Sequence, residues 1–460
     1  MSCASGLEFV SLGECRRARG RFAYWLGRVA RRVEPAGALG HSPPVPRAHA
    51  LLLEKVHASA DDELARRGVY VTRIDKGLDE AELVSALNGI ADDLPLVVGI
   101  RSKTRVTKAV IDAVPRLQAI GAFCIGTDQV DLAAARAAGV AVFNAPFSST
   151  RSVAELVMAE LVMLSRQVFA RSHAAHEGKW AKNAEGSHEI RGKTLGIVGY
   201  GHIGTQLSVL AEAFGMQVMF YDTVAKLPLG NARACASLED LLGKSDFVSL
   251  HVPDTEFTRG MIGAAQLAVM KPDGHLVNAS RGRVVDLDAL RDAISSGHVG
   301  GAALDVYPEE PASEKHAFVC PLQGLPNVIL TPHIGGSTQE AQANIGIEVA
   351  VAVSRYLEGG RTLGCVNLPQ LDMPAPPSLR GRPACRLVDI HRNVPGVLSR
   401  INAVIAQSNV NIAGQALATL EDIGLLFVDL PLAVDEPAAA ELCRSISALD
   451  TSVRTRLVSL

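Results

Sequence analysis

Two α/β domains built on parallel sheets, followed by a small βαββαβ domain, are what this 460-residue sequence predicts. Three observations carry that expectation. From residue 51 onward, short apolar runs alternate with helical stretches, the pattern of βαβ units whose strands are buried on both faces. One of those runs leads into a Gly-x-Gly-x-x-Gly motif that opens a helix. Beyond a proline-rich stretch, the residues after 383 read strand, helix, strand, strand, helix, strand, a ferredoxin-like order.

Composition bounds the rest. With 48% apolar and 20% charged residues the chain can build sizeable cores. Its 45 basic and 48 acidic residues leave a net charge of -3, which offers no global positive field to nucleic acid or an anionic membrane. No stretch of about 18 consecutive apolar residues occurs, so a soluble protein without a spanning helix is expected. Eight cysteines (Cys3, Cys15, Cys124, Cys235, Cys320, Cys365, Cys385, Cys443) show neither a C-x-x-C pair nor zinc-like spacing. Free thiols, a reducing cytoplasmic compartment and no metal site are the expectation.

The first fifty residues hold eight arginines, three glutamates and no lysine, then Pro43, Pro44 and Pro46. An organelle transit peptide shares that bias; residues 1–50 are read instead as a disordered extension outside the fold. The runs 51–53, 96–100, 117–120 and 140–143 are expected as buried strands of the first domain. Helical periodicity over 152–165 and 338–357 marks two long crossovers. The first, substrate-binding domain is therefore expected to be discontinuous, 51–148 with 336–367, around a nucleotide domain at 149–335. Strands of that second domain are expected at 194–198, 218–221, 247–250, 275–278, 301–306 and 328–330. Five prolines (Pro369, Pro374, Pro376, Pro377, Pro383) make 368–383 a linker to the domain at 384–460.

The segment Gly199-Tyr200-Gly201-His202-Ile203-Gly204 lies between a strand and a helix, the context its chemistry requires. The first glycine allows the tight turn, the second lets backbone N–H groups approach a pyrophosphate, and the third lets helix pack on strand. This predicts a Rossmann dinucleotide domain. Eighteen residues beyond Gly204, Asp222 ends the next strand, where a carboxylate accepts from a ribose hydroxyl and repels a 2′-phosphate. NAD is expected over NADP.

Ligands of a doubly wound sheet lie beyond the carboxyl ends of its strands. Those ends carry His251-Val252-Pro253, then Asn278-Ala279-Ser280-Arg281-Gly282, then Asp305 with Glu309-Glu310, then Thr331-Pro332-His333 before Gly335-Gly336. Oxidising a 2-hydroxy acid needs a cation for the carboxylate, a base near neutrality and a group that orients the base. The planar fork of Arg281 suits the first, the imidazole of His333 the second and the carboxylate of Glu310 the third. Singly, each has a plainer alternative: a surface ion pair, a strand-end histidine bonded to backbone, a solvated loop acid. Their succession at strand ends makes them a set.

The motifs GYGHIGTQL, LPLGNA, SLHVP, NASRG, DVYPEEPA and LTPHIGGSTQEAQ resemble the D-2-hydroxyacid dehydrogenase family, in the bacterial form with a C-terminal ACT domain, over residues 51–460. The resemblance implies a flavodoxin-like substrate domain, a Rossmann NAD domain and an ACT regulatory domain. It implies that Arg281, Glu310 and His333 form the catalytic triad. NAD would be surrounded by Gly199, Gly201, His202, Ile203, Gly204, Asp222, His251, Val252, Pro253, Ala279, Arg281, Asp305, His333, Gly335 and Gly336. Arg101, Ser102 and Lys103 look like the segment that holds a 3-phosphate, Lys76 like a contact lent by a neighbouring subunit, and Ser149 like a further substrate contact. Ser149 and Asp128 stand where relatives typically show Asn. His391, Asn393 and Asn411 match positions that bind serine.

The activity so implied is NAD-dependent oxidation of D-3-phosphoglycerate to 3-phosphooxypyruvate, the first step of L-serine biosynthesis, in a homotetramer inhibited by serine. Two alternatives stay open: another D-2-hydroxyacid dehydrogenase, such as a 2-oxoglutarate reductase, and a non-enzymatic NAD sensor on the same fold.

Overall fold

This computed structural model describes residues 31–33, 46–180, 182–311 and 316–460. Among them the chain forms two compact units, one from the residues up to Pro146 together with Ala343–Leu460, the other from Phe147–Gln342.

The first unit contains strands β1 (Arg31–Val33), β2 (Ala48–Leu53), β3 (Val69–Ile74), β4 (Leu96–Ile100), β5 (Leu117–Ala122) and β6 (Ala141–Phe143), in the order β1-β3-β2-β4-β5-β6. Strands β2 to β6 are parallel and β1 runs antiparallel along β3. Leaving β1 aside, the order is that of flavodoxin-like sheets. Helices α1 (Ser59–Arg66), α2 (Glu80–Asn88), α3 (Lys108–Ala113) and α4 (Leu132–Ala137) connect the strands. Every residue of β2 and β4 is buried, which is why β4 and, after His49, the end of β2 read as apolar runs.

Strand β3 has no such run. Its sequence VYVTRI has three buried and three half-buried positions, and Arg73 within it bonds Asp61 at 2.7 Å. Most of residues 1–50 lie outside the described residues, as do Cys3 and Cys15; the six described cysteines are free thiols. The extension expected there is corrected at two points. Arg31–Val33 is a strand, and β2 begins at Ala48, where buried His49 bonds Asp92 at 2.6 Å and Thr72 at 2.7 Å.

The second unit holds β7 (Thr194–Val198), β8 (Gln217–Tyr221), β9 (Arg233–Ala234), β10 (Phe247–Leu250), β11 (Gly274–Asn278), β12 (Val299–Leu304) and β13 (Val328–Leu330). All are parallel, in the order β13-β12-β11-β10-β7-β8-β9. This is the Rossmann order, and its direction reverses between β7 and β10, where such sheets bind ligands. Around it run α5 (Thr150–Ser165), α6 (Val168–His176), α7 (His202–Ala213), α8 (Leu238–Lys244), α9 (Ala264–Val269) and α10 (Leu287–Ser295). The chain returns to the first unit along α11 (Gln339–Gly359), at 343 rather than 336. The start of that segment is tied to the second unit: Thr338 and Ser152 share a hydrogen bond of 2.8 Å, and Gln342 donates to the Gly336 carbonyl at 2.9 Å.

The C-terminal residues form β14 (Cys385–Arg392), α12 (Val397–Gln407), β15 (Gly414–Leu420), β16 (Ile423–Leu430), α13 (Pro437–Ser447) and β17 (Ser452–Ser459). Their antiparallel sheet, ordered β15-β16-β14-β17, is the ferredoxin-like one. Alternation along β14 divides its contacts. Cys385 and Leu387 pack with Ile401 and Leu442 under the two helices. Val388 and Ile390 instead join Val353, Tyr356 and Leu357 in the core of the first unit. Arg386, on that second face and 1% exposed, pairs through Nε and Nη2 with Asp429 at 2.6 and 2.9 Å and donates from Nη1 to the Gly359 carbonyl at 3.1 Å.

Replacing Asp429 by Ala strands a buried guanidinium, and the expected loss is about 3–5 kcal/mol of unfolding free energy. Urea or thermal melts measure it; a loss below about 1 kcal/mol, typical of exposed pairs, would contradict the buried pairing.

Candidate active site

The turn after β7 occupies the reversal point of the second sheet. Gly199 has φ +90°, and a Cβ there would overlap the carbonyl oxygen of His251 at the end of β10. Around a Cβ built on Gly201, by contrast, no atom lies within 4 Å. Open space therefore stands before the first N–H groups of α7, the arrangement that accepts a pyrophosphate. Tyr200 is structural: its hydroxyl bonds Ser208 at 2.8 Å and its ring stacks on Phe220 at 3.9 Å. Asp222, half-buried after β8, accepts from the Tyr200 N–H and the Val224 N–H, both at 2.9 Å. It braces the loop while keeping lone pairs for a ribose hydroxyl. His202 is exposed with its ring edge-on to Phe147 at 4.4 Å, and Ile203 is half-buried. The residues present fit a dinucleotide.

Beyond β12 and β13 the imidazole and the carboxylate meet. His333 Nδ1 lies 2.9 Å from both oxygens of Glu310, which leaves Nε2 as the nitrogen that can exchange a proton with a substrate. Arg281 follows β11, donates to the Ser280 carbonyl at 2.8 Å, and acts electrostatically on both partners. The hydrogen bond to Glu310 raises the His333 pKa above its ordinary value, and the charges of Glu310 and Asp305 add to it; burial and Arg281 oppose but do not prevail. Burial pushes Glu310 up, but the hydrogen bond and charge of His333, the Tyr307 N–H and Arg281 together bring it below the ordinary carboxylate value.

Three neighbours fix this pair, of which Tyr307 and Gly282 were not evident as machinery in the sequence. Asp305, 2% exposed, accepts from the Thr331 hydroxyl and the Ile334 N–H through Oδ1 and from the Gly335 N–H through Oδ2, each at 2.7 Å. Expected beside the cofactor, it acts here on the turn that carries His333, whose φ of +54° is left-handed. Tyr307 bonds the carbonyls of Leu304 and Thr331 through its hydroxyl, both at 2.9 Å, tying the ends of β12 and β13 together. A Cβ at Gly282 would overlap the Tyr307 and Pro308 backbone. Only glycine there lets the Arg281 turn lie against the segment bearing Glu310. On α5, Glu160 is 2% exposed with both oxygens unbonded among the described residues, and burial together with the Asp305 charge pushes its pKa up to about 8. Burial thus favours its neutral form, which limits the carboxylate charge beside Asp305.

The other expected positions vary. His251 shares a 2.8 Å hydrogen bond with Ser249 and is kept neutral by burial, which lowers its pKa to about 4. Val252, Ala279 and Gly336 are half-buried, Pro253 is exposed and Gly335 is buried. Ser149 precedes α5 with its side chain buried and Oγ unbonded among the described residues. In the first unit Arg101 is half-buried after β4, Ser102 and Lys103 are exposed, and Lys76 pairs with Glu82 at 2.8 Å. In the C-terminal sheet Asn393 and Asn411 are exposed, but His391 is turned inward, 1% exposed, with Nδ1 3.1 Å from Asp389. Among the described residues no cluster could hold a metal ion, and no helix is long and apolar enough to cross a membrane.

The His333–Glu310 pair has a testable pH dependence. A raised histidine pKa adds stability that is full below the unfolded value of about 6.5 and lost as pH rises through the folded one; the lowered Glu310 adds stability above about 4.5 that is lost on acidification. Glu310→Gln should move the His333 titration, followed by NMR, to lower pH; an unmoved midpoint would refute the coupling.

Comparison with known proteins identifies the family. Residues 158–335 match the model for the D-isomer specific 2-hydroxyacid dehydrogenase NAD binding domain, and 387–451 match the AHAS small subunit-like ACT domain. The chain is similar to D-3-phosphoglycerate dehydrogenase of Escherichia coli K12, 49% identical over 89% of this chain and 97% of that protein. It is likewise similar to the Dictyostelium discoideum enzyme of that name, 47% identical over 89% and 96%. Among solved structures, D-lactate dehydrogenase from Aquifex aeolicus complexed with NAD and lactic acid aligns with a TM-score of 0.57 at 28% identity, covering 67% of this chain and 95% of that one.

Proposed function

The chain belongs to the D-3-phosphoglycerate dehydrogenases of the D-isomer specific 2-hydroxyacid dehydrogenase family, and we propose that Arg281, Glu310 and His333 perform its reaction. As a member of that family it is an NAD-dependent oxidoreductase that converts D-3-phosphoglycerate to 3-phosphooxypyruvate, the entry to serine biosynthesis. Bound NAD supplies the acceptor for the hydride leaving C2. His333 Nε2 takes the hydroxyl proton, Glu310 holds the ring and stabilises its cation, and Arg281 grips the substrate carboxylate through its planar fork. The observation that carries this reading is the contact of His333 Nδ1 with both Glu310 oxygens at 2.9 Å.

The substrate's phosphate falls to Arg101, Ser102 and Lys103, with Lys76 lent by a neighbouring copy in a homo-oligomer, a tetramer by family expectation. Ser149 is a further substrate contact. Serine acts as feedback inhibitor at the ACT domain, read by the amides of Asn393 and Asn411; His391, facing inward, holds the end of β14 from within. The free thiols and the biosynthetic role favour the cytoplasm.

Absorbance of NADH with 3-phosphoglycerate as substrate tests the proposal. His333→Ala should lower kcat about 10²-fold or more, the usual loss for a general base, and an unaltered rate would remove the assignment. In the same assay serine should lower the wild-type rate; no effect at millimolar serine would remove the regulatory part.

A further inference from the structure

We propose that Glu54 is a positioning residue for the phosphate-binding segment, holding its backbone from behind at Lys103 and Thr104. This rests on the substrate reading above. Glu54 follows β2, is 7% exposed, and adopts φ +58°, with Lys55 after it at +55°. Two consecutive non-glycine residues in the left-handed region are costly, and such strain persists where something else over-determines it. What over-determines it is the carboxylate. Oε2 accepts from the Lys103 N–H at 2.9 Å and Oε1 from the Thr104 N–H at 2.7 Å. These two N–H groups compensate the carboxylate for its burial.

The segment is anchored on other sides as well. The Arg101 carbonyl accepts from Gln129 Nε2 at 2.6 Å. Thr104, fully buried, accepts through Oγ1 from the Leu78 N–H at 3.2 Å. A Cβ on Gly77 would lie 3.2 Å from Lys103 Cβ and 3.9 Å from Glu54 Cγ, so the turn bearing Lys76 packs on the same junction. One buried carboxylate therefore holds Lys103 and Thr104 and abuts the turn that carries Lys76. With their N–H groups engaged by Glu54, Lys103 and Thr104 offer no backbone donor to an anion, while the side chains of the half-exposed Arg101 and the exposed Ser102 and Lys103 remain for it.

The test uses the full chain with NAD, Glu54→Ala and Glu54→Gln. In E54A, KM for 3-phosphoglycerate should rise about tenfold or more while kcat falls much less, since a displaced binding group costs affinity before chemistry. Competitive inhibition by inorganic phosphate should weaken in parallel, and NAD affinity, followed by fluorescence, should stay within about twofold. E54Q keeps one acceptor and should give a smaller rise in both KM and the phosphate inhibition constant. If E54A does not fold, E54Q carries the test. Unchanged KM and phosphate inhibition in a folded variant would overturn the proposal, as would a uniform loss of kcat, KM and NAD affinity, the mark of a merely structural role. A wild-type chain that forms no NADH from 3-phosphoglycerate would sink the substrate reading instead. In that event, protection of residues 101–104 by inorganic phosphate in hydrogen exchange, lost in E54Q, would still support the role of Glu54, and its absence would overturn it.

Discussion

The carboxylate of Asp305 is the constraint on which the catalytic geometry hangs. A histidine at φ +54° sits about 1–2 kcal/mol above its relaxed backbone, and nothing in Thr331-Pro332-His333 alone would keep it there. Three donors at 2.7 Å, spread from Thr331 to Gly335, converge on one buried acid and hold the turn closed. Charge-assisted hydrogen bonds of this kind contribute roughly 1.5–3 kcal/mol each, enough to outweigh the strain. The same negative charge also helps to raise the His333 pKa, so one group sets both the position of the base and its proton affinity.

Such an arrangement tolerates little extra negative charge, and Glu160 shows how the fold manages that. Its carboxyl lies buried within electrostatic reach of Asp305, and both effects push its pKa up, favouring the protonated form. Arg281 works in the other direction, lowering His333 and Glu310 alike. The base is therefore balanced between two acids that raise its pKa and one cation that lowers it. A histidine is suited to this because modest fields move it across neutrality without locking it in either state.

How much of this was legible in the sequence depends on which property a residue uses. β4 and the Leu51–Leu53 part of β2 declared themselves because burial on both faces favours apolar runs, and Arg281, Glu310 and His333 were singled out because they follow successive strands of one sheet. β3 was invisible to the same logic, since Tyr70, Thr72 and Arg73 break its run although the strand is paired on both sides. Glu54 and Gly282 were missed for a different reason. Each acts through backbone far away along the chain, Glu54 on Lys103 and Thr104, Gly282 on Tyr307 and Pro308, and only the folded path shows such an approach. Glu310, expected as the orienting acid, is the one of the adjacent pair that reaches the imidazole, in the turn that also bonds the Tyr307 N–H. His391 has the residue type of a ligand group, and only the pleat of β14 shows that it faces inward.

The C-terminal sheet illustrates what a boundary in sequence does and does not imply. Five prolines separate it from the preceding chain, which suggests a tethered module. Yet β14 presents apolar residues on both faces, and a strand buried on both faces needs a second layer. Val388 and Phe427 enter the core of the first unit, and Arg386 joins Asp429 to the carbonyl at the end of α11. Removing one partner of a buried pair of this kind costs about 3–5 kcal/mol, so the join between sheet and α11 is part of the core of the first unit and not a loose tether.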